Sequence, residues 1–509
     1  MTSFINIIEP FIETVQSKGN NIAIIEGKSK ISFKDLYLKS LSLAKKINSY
    51  NFLNEPIAVI QKKTANSIIS NIGILLSGNA YMNIDINLPK KKIQSILKNI
   101  KPKIIIIDSN FKIKLNKKLF KIINIDSFNF TRNFKEQSVL NNIKNLIDTD
   151  PLCIINTSGS TGDPKSVILN HKSFIDFVIR SDELFKFKNN EIIGSLSSNA
   201  FDIYSFELTL MMYKGSSILI IPEEIKGYPL NIVELIKKNK VSFIFWVPTI
   251  MTTIANLNLL KEVKLNNLKI IWFAGEVFQT DKFNYWRKML PHAIFANLYG
   301  PIEITLDCSY YIIKKKIKNA DPIPIGTAYK NTDLIILKNN KIAKENEIGE
   351  LFVRGSSLAM GYFNNEEETK KKFIQNPLNN SYPEIIYATG DLVRKNRKKE
   401  IIFIGRKDNQ IKHYGHRIEL DEIEHIIINK CKLVKNGCAV YNDKIKKIIF
   451  YYENNKEINI NNYNNKLKKF LTKYSLPDKW IKLNKLPQNL NGKIDRLKLK
   501  KYKIKNIQN

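Results

Sequence analysis

Cysteine is scarce in this sequence, and long apolar runs do not occur in it. The 509 residues include four cysteines, and none of them forms a Cys-x-x-Cys pair, which argues against a disulfide framework and a zinc site. No run of about 18 apolar residues is present, so we expect no membrane span. The N-terminal residues lack the basic start and apolar centre of a secretion signal. These absences favour a reducing, cytoplasmic compartment.

Acidic residues are also few. The chain has 47 Asp and Glu against 81 Lys and Arg, which gives a formal net charge of +34. A basic chain can bind nucleic acid, but the lysines here are dispersed along the whole length and are not clustered with aromatic residues. We therefore expect no nucleic-acid partner, and we expect the excess charge to attract an acidic protein at low salt.

Apolar residues are plentiful, and their pattern indicates the fold class. Hydrophobic residues make up 43% of the chain, enough to build a core in more than one domain. Short apolar runs such as PIAVI (56–60) alternate with helical spacing, as in 64–81, which predicts an α/β fold with a mostly parallel sheet covered by helices. Near residue 400 the pattern changes to short strands and turns. We predict a large N-terminal domain over 1–404 and a small α+β domain over 405–509.

The segment NTSGSTGDPKSVILNH (156–171) is the most unusual stretch. A loop of Gly, Ser and Thr after a strand can direct several backbone N–H groups toward one anion, and Lys165 adds a positive charge. The segment is neither a Walker A loop nor a Gly-x-Gly-x-x-Gly fingerprint. It predicts phosphate binding, with a plain surface loop as the alternative.

Six segments resemble, in the same order, the motifs of the adenylate-forming superfamily, which includes acyl-CoA synthetases, luciferases and the adenylation domains of peptide synthetases. They cover nearly the whole chain and correspond to the phosphate loop, the adenine and magnesium motif, a further family block, the ribose motif, the hinge block and the catalytic-lysine block. They are TSGSTGDPKSV (157–167), FANLYGPIEIT (295–305), GELFVRGSSLAMGY (349–362), YATGDLVRKN (387–396), GRKDNQIKHYGHRIELDEIE (405–424) and LPQNLNGKIDRLKL (486–499).

The resemblance implies a fold and a reaction. The fold has a large, multi-lobed N-terminal α/β domain with mixed and parallel sheets covered by helices, and a small, mobile α+β C-terminal domain. In the reaction, a carboxylate attacks the α-phosphate of ATP and releases pyrophosphate. The thiol of a phosphopantetheine arm then attacks the acyl-adenylate to give a thioester. Mg²⁺ accompanies ATP as the cofactor.

The resemblance also implies individual roles. Lys493 would be the catalytic lysine, Glu303 would bind Mg²⁺ and Asp408 would be the hinge, which would bring the segment around Gly415 toward the thiol. Asp391 would accept hydrogen bonds from the ribose hydroxyls. The ATP-binding residues implied by the family pattern are Thr157, Ser158, Gly159, Ser160, Thr161, Gly162, Lys165, Gly275, Glu276, Asn297, Tyr299, Gly300, Asp391 and Arg406.

The segment SNAFDIYSFELTL (198–210) bears on the substrate. In amino-acid-activating relatives an aspartate in this block pairs with the α-ammonium group, which predicts that role for Asp202; a helix N-cap is the alternative. By the same pattern the pocket is lined by Ile203, Phe206, Phe245, Trp272, Ala274, Leu298, Leu306 and Asp307. Three bulky aromatic rings leave little volume and favour a small amino acid, unless they are ordinary core residues.

Among enzymes of small substrates, the stand-alone D-alanine–carrier-protein ligases resemble this sequence most. No carrier module follows the lysine block, so we expect a separate, acidic carrier protein as the acceptor. Several positions depart from the family pattern. The pocket positions Phe245, Ala274 and Asp307 leave glycine, L-alanine, serine and proline open as substrates. Ser166 and Ile302 lie in the phosphate and magnesium motifs and would lower the rate, and Asn83 replaces a proline.

Three other functions compete with this one. An acyl-CoA synthetase or fatty-acid–AMP ligase would act on a carboxylate that lacks an amine, and Asp202 argues against it. A nucleic-acid-binding protein would need steeply salt-dependent DNA binding. A degenerate adenylate binder, suggested by Ile302 and Ser166, would bind ATP without turnover.

Overall fold

The computed structural model describes residues 4–116, 118–131, 135–159, 164–443, 445–453, 460–488 and 494–502. It divides into two compact units. The first unit comprises residues 1–86, 100–156 and 166–407, and the second comprises residues 87–99, 157–165 and 408–509. The sequence pattern had assigned 87–99 and 157–165 to the N-terminal domain.

Helices occur in both units, and local sequence sets several of their ends. Ser32 caps the second helix by accepting a hydrogen bond from the Asp35 backbone N–H, and Thr64 and Ser67 form a capping box at the start of the third. The α-helices are α1 Ile8–Lys18, α2 Phe33–Asn48, α3 Ala65–Leu76, α4 Lys90–Ile100, α5 Glu136–Leu140, α6 His171–Phe185, α7 Asp202–Lys214, α8 Pro229–Lys238, α9 Pro248–Asn256, α10 Leu259–Glu262, α11 Thr280–Met289, α12 Glu366–Lys372, α13 Leu420–His425, α14 Ile460–Leu467 and α15 Arg496–Lys500.

The strands are short and mostly apolar. They are β1 Ile22–Glu26, β2 Ser29–Ser32, β3 Pro56–Ile60, β4 Ala80–Asn83, β5 Ile104–Ile107, β6 Lys121–Asn124, β7 Pro151–Thr157, β8 Lys165–Asn170, β9 Ile192–Ser195, β10 Ser217–Ile220, β11 Phe243–Trp246, β12 Ile270–Phe273, β13 Ile294–Tyr299, β14 Ser309–Ile312, β15 Thr327–Ala328, β16 Thr332–Lys338, β17 Lys341–Ile342, β18 Ile348–Gly355, β19 Gly361–Tyr362, β20 Phe373–Gln375, β21 Ile385–Lys395, β22 Ile401–Arg406, β23 Gln410–His413, β24 His416–Glu419, β25 Asn436–Asn442, β26 Lys447–Glu453 and β27 Lys479–Lys482.

Three sheets organise most of the chain. Among the described residues, one sheet has the order β15-β14-β13-β12-β11-β9-β10-β1-β2, and a second has the order β19-β8-β7-β4-β3-β5-β6. Strands β9 to β13 pair in parallel in the first, and β3 to β7 pair in parallel in the second. Strands such as β3 and β11 are buried along their whole length, as expected for parallel sheets covered on both faces. The third sheet, β17-β16-β18-β21-β20 with β22 beside β21, is antiparallel.

The second unit has its own core. Strands β25 and β26 form an antiparallel hairpin and β27 joins in parallel, while β23 and β24 form a second hairpin. The residues between β23 and β24, Tyr414 and Gly415, both have positive φ angles, 52° and 77°, as a two-residue type I′ turn requires. In the same unit the Lys92 ammonium lies 2.9 Å from the buried Glu422 carboxylate.

Several expectations from the sequence are confirmed by these elements. The run 56–60 is strand β3, the helical spacing after it is α3, and the short strands expected after residue 400 include the hairpin β25–β26. In the described part of the chain, no helix combines the length and the apolar character needed to cross a bilayer.

Candidate active site

Three neighbouring parallel strands of the first unit end at one edge of their sheet. The register pairs Phe245 of β11 with Trp272 of β12, and Trp272 with Ala296 of β13. The segments that follow these strands therefore start side by side, at the edge where parallel sheets bind ligands. Residues 274–276 follow β12 and residues 300–303 follow β13, so the sheet itself brings predicted substrate and nucleotide residues together.

The three predicted pocket aromatics contact one another. The rings of Phe206 and Trp272 are stacked with centroids 5.2 Å apart, and Phe245 meets them edge-on at 6.0 Å and 5.5 Å. All three are at most 1% exposed. Other predicted lining residues belong to the same buried cluster, namely Ile203, Ala274, Leu298 and Leu306. The three rings are therefore packed as core residues, and their mutual contacts fill the space between them.

A second layer of aromatic residues, which the motif comparison missed, supports the first. Phe185 and Phe187 contact the Trp272 ring at 4.7 Å and 5.4 Å, and Phe243 contacts it at 5.2 Å. Phe185 and Phe187 flank Lys186, which follows the last residue of α6 in the left-handed conformation, and no local sequence pattern places these two rings against Trp272. The Trp272 indole N–H has no hydrogen-bond partner among the described residues.

Asp202 lies at the start of α7. The helix begins at Asp202 itself, its N-cap position is held by Phe201, and no side-chain cap bond forms there. One Asp202 carboxylate oxygen accepts a hydrogen bond from the Ile203 backbone N–H at 2.9 Å. The N-cap alternative is therefore wrong, and a carboxylate in the first turn of a helix is stabilised by the helix dipole.

The predicted ribose residues form one hydrogen-bonded group. Asp391 of β21 and Arg406 of β22 are direct cross-strand partners, and the Arg406 guanidinium donates to the Asp391 carboxylate at 2.7 Å and to the Thr389 carbonyl at 2.8 Å. The Tyr299 hydroxyl donates to the other Asp391 oxygen. Burial, reinforced by the nearby Asp391 charge, raises the pKa of Tyr299 well above its ordinary value, so this hydroxyl stays protonated and remains a donor.

The chain after β13 passes very close to itself. A Cβ on Gly300 would lie 2.2 Å from the Leu306 carbonyl oxygen and 2.5 Å from the Asp307 Cα, so only glycine fits there. Thr305 and Leu306 have φ angles of 51° and 68°, an uncommon conformation for β-branched and bulky residues. Such strain concentrates at functional sites, and here it falls on the predicted pocket residue Leu306 and on Thr305 before it.

Three buried polar side chains lie in the predicted adenine and magnesium motif, residues 295–305. Asn297 donates from its amide to the Pro324 carbonyl at 2.7 Å. Glu303 is fully buried and accepts a hydrogen bond from the Tyr362 hydroxyl at 2.8 Å, while the buried Thr305 hydroxyl has no partner among the described residues. A carboxylate oxygen is a ligand of the kind that Mg²⁺ prefers, and Mg²⁺ usually takes only one or two carboxylates beside phosphates and water. Glu303 therefore fits a Mg²⁺ that arrives with ATP. Among the described residues, no group of three or more His, Cys, Asp or Glu side chains could hold a metal ion.

Glu276 has a structural contact in addition to its predicted role at the nucleotide. Its carboxylate accepts hydrogen bonds from the backbone N–H and the hydroxyl of Thr249, in the first turn of α9. Glu276 follows Gly275, whose φ angle is 89°. The turn at 274–276 is thus fixed against α9.

The predicted phosphate residues that are described belong to the second unit. The Thr157 hydroxyl donates to the Lys165 carbonyl at 3.4 Å, and the Ser158 hydroxyl donates to the Arg417 carbonyl at 2.6 Å. Asp408 is the first residue of the C-terminal segment of this unit and accepts a bond from the Gln410 N–H at 3.2 Å. Four residues named by the sequence lie outside the described residues: Ser160, Thr161, Gly162 and Lys493.

Two departures from the family pattern have different local settings in the first unit. Ser166, which replaces a glycine, donates to the Asn156 side-chain oxygen at 2.7 Å. Asn83, which replaces a proline, is 4% exposed, and neither of its amide atoms has a partner among the described residues. The structure explains the serine and not the asparagine.

Comparison with known proteins decides the family. The model of the AMP-binding enzyme family matches residues 11–363, more than half of the chain. The chain belongs to the AMP-binding enzyme family. Members of this family form adenylates, so the chain is an adenylate-forming ligase, and its α/β fold is the adenylate-forming fold.

Curated relatives of this family member are named as synthases. Zwittermicin A synthase ZmaJ of Bacillus cereus is 28% identical over 499 residues, with 96% of this chain and 93% of that protein covered. Bacitracin synthase 1 of Bacillus licheniformis is 30% identical over 495 residues, but the match covers only 9% of that protein. The chain therefore spans nearly all of one relative and a small part of the other.

Solved structures of the same fold cover the chain almost completely. The Vibrio cholerae adenylation domain AlmE, solved with glycyl-adenosine-5′-phosphate, aligns with a TM-score of 0.82 at 20% identity and covers 98% of both chains. The o-succinylbenzoate CoA synthetase MenE of Bacillus subtilis aligns with the same TM-score at 18% identity and covers 98% of this chain and 99% of its own. At these identities the likeness concerns the fold alone.

Proposed function

We propose that this protein activates a small amino acid with ATP and transfers it to the phosphopantetheine thiol of a carrier protein. In the first step an oxygen of the amino-acid carboxylate forms a bond to the α-phosphorus, and the bond to the bridging oxygen breaks to release pyrophosphate. In the second step the thiol sulfur bonds to the acyl carbon, AMP leaves, and the thiol proton is released. The product is an aminoacyl thioester.

One observation carries the choice of substrate class. Asp202 opens α7, and Phe206, one turn later on the same helix, is packed against Trp272 and Phe245. A carboxylate at this position can accept charge-assisted hydrogen bonds from an α-ammonium group, which an amine-free acid cannot donate. The filled space beyond Phe206 favours a side chain the size of hydrogen or methyl, which makes glycine and alanine of either hand the leading substrates.

The relatives support the amino-acid assignment. The matching relatives are by name synthases of zwittermicin A and bacitracin, and AlmE was solved with a glycyl adenylate. A protein that contains adenylation and peptidyl-carrier domains, PA1221, has the same fold with a TM-score of 0.82 at 19% identity. Together they favour a carrier-bound thioester as the product, and the net charge of +34 favours an acidic carrier.

The nucleotide roles follow the groups already described. Asp391, held by Arg406 and Tyr299, would bind the ribose hydroxyls, and Asn297 and Tyr299 would contact adenine. Glu303 would supply an oxygen to Mg²⁺, which offsets the charge of the phosphates when it is bound. Lys493 would contact the substrate carboxylate and the α-phosphate, and Thr157, Ser158 and Lys165 would contribute to phosphate binding.

A pyrophosphate-exchange screen tests this function. Purified protein with ATP and Mg²⁺ is offered glycine, the other proteinogenic amino acids of both hands, and fatty and aryl acids without an amine. We expect exchange above background with glycine or alanine and none with the amine-free acids. Exchange driven by a fatty or aryl acid alone would establish the acyl-CoA synthetase alternative, and ATP binding without any exchange would establish a degenerate binder.

A further inference from the structure

A buried ammonium group lies outside the catalytic roles described above. Lys63 follows β3 and is 5% exposed. Its ammonium donates to the Ser195 carbonyl at 2.7 Å, to the Ser197 carbonyl at 2.8 Å and to the Ser195 hydroxyl at 3.4 Å. These three contacts use all three ammonium hydrogens. The charge is therefore committed to the chain that leaves β9.

The same group reaches α7 through one hydroxyl. Ser195 is fully buried, and its hydroxyl donates to a carboxylate oxygen of Glu207, which is also fully buried. Ser195 thus bridges the Lys63 ammonium and the Glu207 carboxylate. Burial lowers the pKa of Lys63 and raises the pKa of Glu207, and each partner's charge opposes the effect of burial on the other. Lys226 and Glu223 lie close enough to contribute to the same field.

A second tether holds the loop between β9 and α7. The Asn199 amide donates to the Gln61 carbonyl at 3.2 Å, and the Gln61 amide is itself fixed to the Ser70 hydroxyl at 3.0 Å. Residues 61–63 therefore hold residues 195–199 at two backbone carbonyls, one hydroxyl and one side-chain amide. This loop leads directly into Asp202, the first residue of α7.

The geometry points to a positioning role: we propose that Lys63, acting through Ser195 and Glu207, fixes the loop and the helix that carry Asp202, and so sets the affinity for the substrate ammonium group. Glu207 lies five residues after Asp202, about 7.5 Å further along the helix axis. One buried cation therefore holds the chain on both sides of Asp202. Burying a charge costs free energy. Holding the loop and helix that carry Asp202 in place would account for that cost. The inference rests on the proposed amino-acid substrate.

The test separates positioning from stability by means of two variants. Lys63→Met removes the tether but leaves Glu207 buried without its cation, which destabilises the fold. The double variant Lys63→Met with Glu207→Gln removes both charges, so the fold no longer holds an unpaired carboxylate while the tether stays broken. Lys62→Met, at the adjacent and much more exposed lysine, is the matched control. Pyrophosphate exchange gives KM for the amino acid and KM for ATP separately, and circular dichroism reports folding.

We expect the folded double variant to show a KM for the amino acid at least tenfold above wild type, with KM for ATP within about twofold, and the Lys62→Met control to match wild type. An unchanged KM for the amino acid in the folded double variant would overturn this inference and leave the proposed function intact. Wild-type protein that exchanges with no amino acid would overturn the proposed function, and this inference with it.

Discussion

At the scale of single residues, Asp391 has both a predicted role in ribose binding and hydrogen bonds that stabilise the fold. Its carboxylate accepts bonds from Arg406 and Tyr299 in a buried setting. We expect Asp391→Asn to lower the free energy of unfolding by about 3 kcal/mol, because it removes the charge of a buried carboxylate that pairs with the partly buried Arg406 guanidinium, and to raise KM for ATP at least tenfold. Urea unfolding and exchange kinetics measure the two effects.

The control for this prediction is an exposed pair of the same residue types. Arg354 donates to Asp333 at 3.0 Å on the antiparallel sheet, with side chains 41% and 53% exposed. Surface pairs of this kind contribute little, so Asp333→Asn should change the unfolding free energy by less than about 1 kcal/mol. Equal losses in the two variants would contradict the assignment of the Asp391 group.

His171 predicts a pH dependence of stability. It is buried at the start of α6 and its Nδ1 accepts a bond from the Ile7 N–H at 3.3 Å. Burial lowers the pKa of His171 to about 4, below its ordinary value near 6.5. Between those values the unfolded chain binds a proton that the folded chain does not, so stability is full above pH 6.5 and falls as the pH drops toward 4, by up to about 3 kcal/mol.

Comparison with His171→Gln isolates this contribution, because other groups titrate in the same range. We expect the wild-type protein to lose more unfolding free energy than the variant between pH 7 and pH 4.5 in urea titrations. Identical pH profiles for the two proteins would show that His171 is not the buried neutral group described above.

At the scale of elements, the turn after β13 depends on Gly300. Adding a methyl group there places a carbon 2.2 Å from the Leu306 carbonyl, so the segment that carries Leu306 and Asp307 must move. We expect Gly300→Ala to reduce exchange activity at least 100-fold. Gly227→Ala is the control, since a Cβ at Gly227 meets nothing within 4 Å, and its activity should stay near wild type. Comparable activity in both variants would contradict the close packing of this turn.

The aromatic cluster at the ends of β11 and β12 predicts substrate size. Phe245→Ala should open space beside Trp272 and shift the exchange preference from glycine or alanine toward larger amino acids, at a cost of about 3–5 kcal/mol in stability. Phe283→Ala removes an equally buried ring from a different core cluster of the first unit. It should cost as much stability without changing the preference; a shift in both variants would mean that general loosening, not pocket volume, sets the size limit.

Elements were predictable from the sequence where one local signal determined them. Short apolar runs in the sequence predict the buried strands β3 and β5. Two such runs, one directly after the other, predict the hairpin formed by β25 and β26. The motif pattern also assigned both Asp391 and Arg406 to the nucleotide, and the β21–β22 register brings them together. The second aromatic layer and the Lys63–Ser195–Glu207 group were not predictable, because they join residues from separate strands and helices through contacts that no local pattern encodes.

At the scale of the whole molecule, the net charge of +34 predicts how the two half-reactions respond to salt. Pyrophosphate exchange uses only small substrates. Loading of the proposed acidic carrier requires two charged proteins to meet. We expect kcat/KM for an acidic carrier to fall about tenfold between 50 and 300 mM NaCl, with pyrophosphate exchange changing by less than about twofold. Parallel responses of the two assays would remove the reason for an acidic partner.

The division of the chain into units shows another limit of sequence patterns. The change in composition near residue 400 predicted a boundary close to Asp408, where the C-terminal segment of the second unit begins. Nothing in the local sequence of 87–99 or 157–165 indicated that these segments group with that unit. Their membership depends on tertiary contacts such as the Lys92–Glu422 ion pair, whose partners are far apart in the chain.

The most direct test of amine recognition compares an amino acid with its amine-free analogue. Pyrophosphate exchange with alanine and with propionate gives a ratio of kcat/KM values for wild-type protein and for Asp202→Asn. We expect kcat/KM for alanine to exceed kcat/KM for propionate at least 100-fold in the wild type. In Asp202→Asn this ratio should fall at least tenfold, because the ammonium group loses a charged acceptor. A wild-type ratio near one, or the same ratio in both proteins, would contradict amine recognition by Asp202.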